Sequence, residues 1–221
     1  MKTKTKTYQE NLTELRANLT AMLPEEFLAL FDNDANHLQQ THYQILQLEI
    51  GDKAPDFTLS NAQNENVRLQ KLLQDSRVVL VFYRGSWCPY CNLQLAHYQQ
   101  ALEEMHWYGA QLVAISPQTP DESLSIKEKN ELQFEVLSDN GNLIARKYTT
   151  VFKNGERPIE AMTALGIDFH AHYSDDSGEL PVPAVFVIEQ DGTVSFAAST
   201  GGDYRKRVDA SVIIAHLKAT S

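Results

Sequence analysis

Residues 77–91 read Arg77-Val78-Val79-Leu80-Val81-Phe82-Tyr83-Arg84-Gly85-Ser86-Trp87-Cys88-Pro89-Tyr90-Cys91. An unbroken valine-rich apolar run of this length is the pattern of a central strand covered on both faces. It stops at Arg84-Gly85-Ser86. Pro89 then suits the first position of a helix, where its missing N–H costs nothing and its φ is already near the helical value. A strand passing into a helix through a short turn is the unit from which α/β folds are built. The same stretch holds both cysteines of the chain, and a C-x-x-C at such a junction is the usual address of a redox dithiol.

The spacing carries a mechanism. Cys88 is expected at or near the N-cap, its sulfur facing the unpaired amides of the first turn, where they and the helix dipole favour thiolate over thiol. Cys91 lies about one turn on, on the same face. Cys88 therefore reads as the nucleophile and Cys91 as the resolving thiol. Two plainer readings compete. Free cysteines are often inert small hydrophobes, although Trp87, Pro89 and Tyr90 around this pair argue otherwise. A structural zinc site needs four ligands, yet no further cysteine exists, His97 and His106 are too far apart, and His170 and His172 are poor substitutes. Neither a metal nor a cofactor is expected.

The 221 residues are enough for one sizeable domain with an extension. Apolar residues at 43% and charged ones at 22% fit an ordinary globular chain. The net charge of −10 argues against nucleic acid or an anionic membrane as a partner. No apolar run reaches the ~20 residues of a membrane span. The basic start, Met1 to Lys6, is followed by polar residues instead of an apolar signal core, so a cytoplasmic protein is expected.

Along the chain, residues 8 to about 45 read as helical, with Leu12, Leu15, Leu19 and Met22 at helical steps and a fresh start at Pro24-Glu25-Glu26. This apolar stripe is expected to pack against the main domain or a second subunit. A boundary near residue 48 divides this extension from a domain over 49–221. Phe57-Thr58-Leu59 reads as a strand, 61–66 as a turn, and 67–73 as strand entry and helix. The C-x-x-C helix should run to Tyr108 and end at Gly109. Leu112 to Ile115 is the next strand, giving a parallel crossover. Thr119-Pro120-Asp121-Glu122 resembles a capping box opening a helix to Asn130. Phe134 to Leu137 reads as a strand and 142–148 as a short helix. An irregular insertion is expected over 151–181, with a short helix near Ile159–Leu165. A hairpin, Val185–Ile188 with Val194–Ala197 around Asp191-Gly192, and a last helix through Leu217 complete the pattern. His97 reads as a boundary histidine, and Asp203 to Arg207 as a solvated helix start.

Three motifs taken together resemble the peroxiredoxin-like branch of the alkyl hydroperoxide reductase/thiol-specific antioxidant family. They are the opening Gly51-Asp52-Lys53-Ala54-Pro55-Asp56-Phe57-Thr58-Leu59, the run Phe82 to Cys91, and Leu180-Pro181-Val182-Pro183-Ala184-Val185-Phe186-Val187-Ile188. The likeness implies a thioredoxin-like α/β fold with a central mixed sheet flanked by helices. It implies thiol-dependent reduction of hydroperoxides by Cys88 with Cys91 resolving, and a thioredoxin or glutathione-type reductant. Arg84, Ser86, Trp87 and Pro183 are the substrate-side residues it suggests, and a homodimer is an expectation from the likeness alone. The chain departs from the family pattern: Val81 and Gly85 stand where Pro and Thr/Ser precede the peroxidatic cysteine. Pro183 takes the place of the usual arginine, like the cis-proline of thioredoxins. Arg84, Arg205 or Arg207 then become the substitutes. Trp87 is divided between packing and shielding the pair.

Two further readings stay open at this point. One is a thiol–disulfide oxidoreductase, in which Cys88 attacks a disulfide substrate and Cys91 resolves the mixed disulfide. The other is a non-catalytic redox sensor.

Overall fold

The computed structural model describes residues 6–42 and 45–221. Most of the basic start, and the point where the helical reading crosses 43–44, lie outside the described residues. The extension forms two helices, α1 (Tyr8–Met22) and α2 (Glu25–Thr41). Thr7 caps α1 in a full capping box with Glu10, satisfying two otherwise unpaired amides.

The main domain begins with β1 (Thr58–Asn61), β2 (Asn66–Arg68) and α3 (Leu69–Asp75). Its centre is β3 (Arg77–Phe82), followed by α4 (Pro89–Trp107) and β4 (Ala110–Ser116). Then come α5 (Pro120–Lys129), β5 (Glu135–Ser138) and α6 (Ala145–Tyr148). The region read as irregular is more ordered than its Gly and Pro content suggests. It contains β6 (Val151–Lys153), α7 (Glu156–Ala164), a 3-10 turn at His170–His172 and β7 (Glu179–Pro181), with β6 and β7 paired antiparallel. The chain ends in the hairpin β8 (Ala184–Ile188) and β9 (Val194–Ser199), then α8 (Ala210–Ala219).

The seven-stranded sheet runs β2-β1-β5-β4-β3-β8-β9, with β3, β4 and β5 parallel and the outer pairings antiparallel. Every residue of β3 is buried. Its two-residue period divides it between two cores. Val79, Val81 and Tyr83 pack with Leu95, Tyr98 and Met105 of α4. Val78, Leu80 and Phe82 pack with Phe186, Tyr148 and Leu69 on the other face. This two-sided burial fixes the β3–α4 junction rigidly, and the cysteines sit on it. Gly109, at φ 69°, ends α4 in the left-handed region that glycine adopts without a Cβ clash.

One local expectation fails. Thr119 precedes α5 with Pro120 at its first position, but its side chain makes no cap hydrogen bond. Glu122 is used elsewhere: it accepts from the Ser86 hydroxyl at 2.9 Å and lies 2.8 Å from His172 Nδ1.

Candidate active site

Cys88 is the N-cap of α4 and Cys91 lies in its first turn, both buried and not joined by a disulfide. The expected amide cradle does not form, since the Cys88 side chain accepts no capping hydrogen bond. The charge is held differently. Arg207, just before α8, directs one guanidinium nitrogen to Cys91 Sγ at 3.2 Å and to Cys88 Sγ at 4.0 Å. Burial pushes the Cys88 thiol up, helped by its hydrogen bond to Cys91 and the negative charge there. Burial opposes ionisation of Cys91 too, but the bond from Cys88, the Arg207 guanidinium and the Arg84 amide outweigh it and hold Cys91 well below an ordinary thiol. Of the two sulfurs, the one nearer the arginine is therefore the easier to ionise.

Arg207 belongs to the segment read as a solvated helix start, and the structure corrects that reading. Arg207 is 6% exposed and Asp203 3% exposed, and Arg207 also donates to the carbonyls of Tyr204 and Lys206. Arg205 spans Asp203 and Asp32 of α2 at 2.8 and 2.9 Å.

Cys88, but not Cys91, lines a cavity of about 250 Å³. Arg84, buried at 3%, lies along this cavity with its guanidinium carbon 4.0 Å from the Tyr204 ring centre and 5.0 Å from that of Trp87. Such face contacts favour a cation through the ring quadrupole. Trp87 packs and also lines the cavity. Its N–H donates to Tyr173 Oη at 2.7 Å, its ring packs edge-on to Phe169, and it walls the cavity beside Cys88. Gly85 is required for this fold-back, because a Cβ there would lie 2.7 Å from Trp87 Nε1.

Ser86 and Pro183 are not among the cavity-lining residues. Ser86 fixes the turn instead: its amide donates to Gln118 Oε1 at 2.6 Å, and its hydroxyl lies between Glu122 and the Gln118 amide. Pro183 does not adopt the cis geometry of its thioredoxin counterpart, for all described peptide bonds are trans. Its carbonyl accepts from Ser199 at the start of the hairpin. His97 is tucked under α1, its ring 5.1 Å from that of Tyr8 and 3.7 Å from Asp209.

The extension contributes more than packing. Leu19, Leu28 and Phe31 from α1 and α2 line the cavity together with Pro158 and Met162 of α7 and Leu165 just after it. Arg16 of α1 pairs bidentately with Asp32 at 2.9 and 3.0 Å and donates to Tyr90 Oη, inside the C-x-x-C segment, at 3.0 Å. Its amphipathic stripe showed only that α1 packs somewhere; nothing local to it named the dithiol as the target.

A protein-family model for the AhpC/TSA family matches residues 50–197. Peroxiredoxin Bcp of Escherichia coli is 28% identical over 133 residues, covering 60% of this chain and 83% of that protein. The chloroplastic peroxiredoxin Q of Gentiana triflora is 26% identical over 159 residues, covering 72% of this chain and 63% of that one. Among solved structures, peroxidoxin BcpB from Mycobacterium tuberculosis superposes with a TM-score of 0.61 at 24% identity, covering 79% of this chain and 99% of that chain. The reduced 2-Cys peroxiredoxin of Plasmodium vivax gives 0.58 at 17% identity, covering 78% and 96%. Helices α1 and α2 lie outside the matched segment. With a mixed sheet flanked by helices, a buried dithiol at the β3–α4 junction and the family match over most of its domain, the chain belongs to the AhpC/TSA family of peroxiredoxin-like, thioredoxin-fold oxidoreductases.

Proposed function

We propose that the protein reduces hydroperoxides with Cys88 as the attacking sulfur and Cys91 as the resolving one. The observation that carries this reading is the division between the sulfurs: Cys88 meets the cavity while Cys91 lies in contact with the Arg207 guanidinium. Attack requires a proton to pass from Cys88 to Cys91 along their hydrogen bond. The Cys88 thiolate then takes the terminal oxygen of ROOH: an S–O bond forms, the O–O bond breaks, and the alkoxide collects the proton from Cys91 and leaves as ROH. Cys88 is now a sulfenic acid. The Cys91 thiolate attacks its sulfur, forming the disulfide and expelling hydroxide, which solvent protonates to water. An external dithiol of thioredoxin type, or a glutathione system, returns two electrons and two protons. Arg84 and Arg207 stabilise the negative charge as it moves toward oxygen.

The disulfide-reductase reading is less well supported, because a cavity of about 250 Å³ walled by α1, α2 and α7 leaves no room for a protein loop at Cys88. The finer expectations are action in the cytoplasm, where a dithiol pool keeps the pair reduced, and assembly as a homodimer, to be checked by sedimentation. Among the described residues no helix is long and apolar enough to cross a membrane.

The test sets hydroperoxide consumption, coupled to a thioredoxin system, beside insulin-disulfide reduction on one preparation. Wild-type protein is expected to turn over peroxide and Cys88→Ser to lose that turnover entirely. Sustained peroxide turnover by Cys88→Ser, or insulin reduction without any peroxide consumption, rejects the proposal.

A further inference from the structure

We propose that the helical extension makes this site selective for bulky apolar organic hydroperoxides over hydrogen peroxide, with Leu19, Phe31 and Met162 as the residues that set the preference. The inference rests on the peroxidase reading and deepens it.

Size decides first. An apolar cavity of about 150 Å³ accommodates benzene, whereas one water takes roughly 30 Å³ of liquid. The space in front of Cys88 is about 250 Å³, room for a ligand of roughly ten heavy atoms on that scale. Hydrogen peroxide would leave most of it to water, against walls that offer aliphatic and aromatic carbon. An apolar substituent that displaces poorly held water from such walls gains affinity. Each methylene it buries is worth about a fourfold gain.

Polarity decides the orientation. Two polar atoms on cavity-lining residues, Arg84 Nε and Asp34 Oδ2, are buried without a hydrogen-bond partner. Buried donors and acceptors are normally paired. Arg84 also lies close enough for its charge to act on Cys88. Burial keeps Asp34 above the usual carboxylate value, so it stays protonated, and able to donate, to a higher pH than an exposed aspartate. The charge nearest the reactive sulfur in the cavity is that of Arg84, and most of the apolar lining comes from Leu19, Leu28, Phe31 and Met162. A hydroperoxide with its O–O group at Cys88 and a hydrocarbon body against those side chains uses both. Hydrogen peroxide uses only the first.

The full-length protein is assayed with cumene hydroperoxide and hydrogen peroxide under one reductant system, and kcat/KM is compared. The expected ratio favours cumene hydroperoxide at least tenfold, carried by KM. Met162→Trp and, independently, Leu19→Trp fill the cavity and are expected to lower that ratio at least tenfold. Binding is read without turnover by titrating 2-phenyl-2-propanol, the product alcohol, into Trp107→Phe protein, in which Trp87 is the remaining tryptophan. Saturable quenching is expected, and the alcohol should inhibit turnover of cumene hydroperoxide less well in Met162→Trp protein than in wild type. A ratio at or below one in wild-type protein, or no saturable Trp87 response, overturns the proposal. Saturable binding with no turnover of any hydroperoxide rejects the peroxidase reading while supporting an apolar ligand in this cavity.

Discussion

Replacing Arg207 by methionine should shift the ionisation of the dithiol more than any other single change. The guanidinium stands 3.2 Å from Cys91 Sγ and 4.0 Å from Cys88 Sγ, and is itself buried. A unit charge about 4 Å away is worth on the order of 4 kcal/mol at an effective dielectric near 20. Because about 1.4 kcal/mol moves a pKa by one unit, the ceiling is roughly three units. Arg84 remains to favour a charge at Cys88, and the hydrogen bond between the sulfurs survives. A rise of about two units in the first thiol ionisation is the working figure, so the pH at which the thiolate appears moves up by the same amount. The variant should fold, because with the cation gone the sulfurs take up a proton and no lone buried charge is left. The carbonyls of Tyr204 and Lys206 lose a donor, which costs about 1–3 kcal/mol for each one left unpaired. Ultraviolet absorbance of the thiolate against pH, with iodoacetamide alkylation rates alongside, reads the shift. Arg207→Lys keeps the charge and should recover part of it. A folded Arg207→Met protein with the wild-type titration curve would refute this account of the site.

Further outcomes follow from the same geometry. Cys91→Ser should consume a single equivalent of hydroperoxide and stop, leaving a Cys88 sulfenic acid that dimedone traps; continuous turnover with a dithiol donor would remove Cys91 from the resolving role. Gly202→Ala should lift α2, because a Cβ there falls onto the Leu38 carbonyl and within 3.1 Å of the Gln39 amide. Faster reaction of the dithiol with a bulky aromatic disulfide reagent and loss of the cumene preference are expected, whereas unchanged thiol protection would show that this glycine does not dock the helix. Asp203 is disfavoured as an anion by burial, yet its hydrogen bonds from Arg205 hold it below the ordinary carboxylate value, and Asp32 is lowered in the same way by Arg16 and Arg205. Both folded values lie below the unfolded one, so the stability they give is complete above about pH 4 and is lost as pH falls through the lower folded values. Near-ultraviolet circular dichroism should accordingly change below pH 4, and a flat signal down to pH 2 would contradict the linkage.

Much of the fold was legible because its signals are local. The apolar run of β3, Pro89 after Cys88, Gly109 after α4 and Asp191-Gly192 in the hairpin each specify their own surroundings. The candidate site was half legible for the opposite reason. Cys88, Cys91, Arg84 and Trp87 lie within one eight-residue stretch, but Arg207 is 119 residues from Cys88, and Arg16 and Tyr90 are 74 apart. A helical stripe such as Leu12, Leu15 and Leu19 has no local marker of the face it will cover. Glu122 shows the converse, a local motif whose cap does not form while Ser86 and His172 engage its carboxylate.

The charge on the dithiol shows why a correct element can still suggest the wrong electrostatics. A helix N-terminus stabilises an anion by roughly 0.3–1 kcal/mol, and by about 2 kcal/mol in the best partly buried geometries. A buried guanidinium in contact is worth on the order of twice that upper figure. Position on the helix therefore favours a thiolate at Cys88, but contact with Arg207 favours Cys91 more strongly. Ionisation is thus disfavoured at Cys88, which lines the cavity, and favoured at Cys91, which does not. A proton transfer between hydrogen-bonded sulfurs converts that resting arrangement into the attacking one. In the proposed mechanism the attacking sulfur thus meets substrate as an anion only after its proton passes to its neighbour, and that neighbour is the one that closes the disulfide.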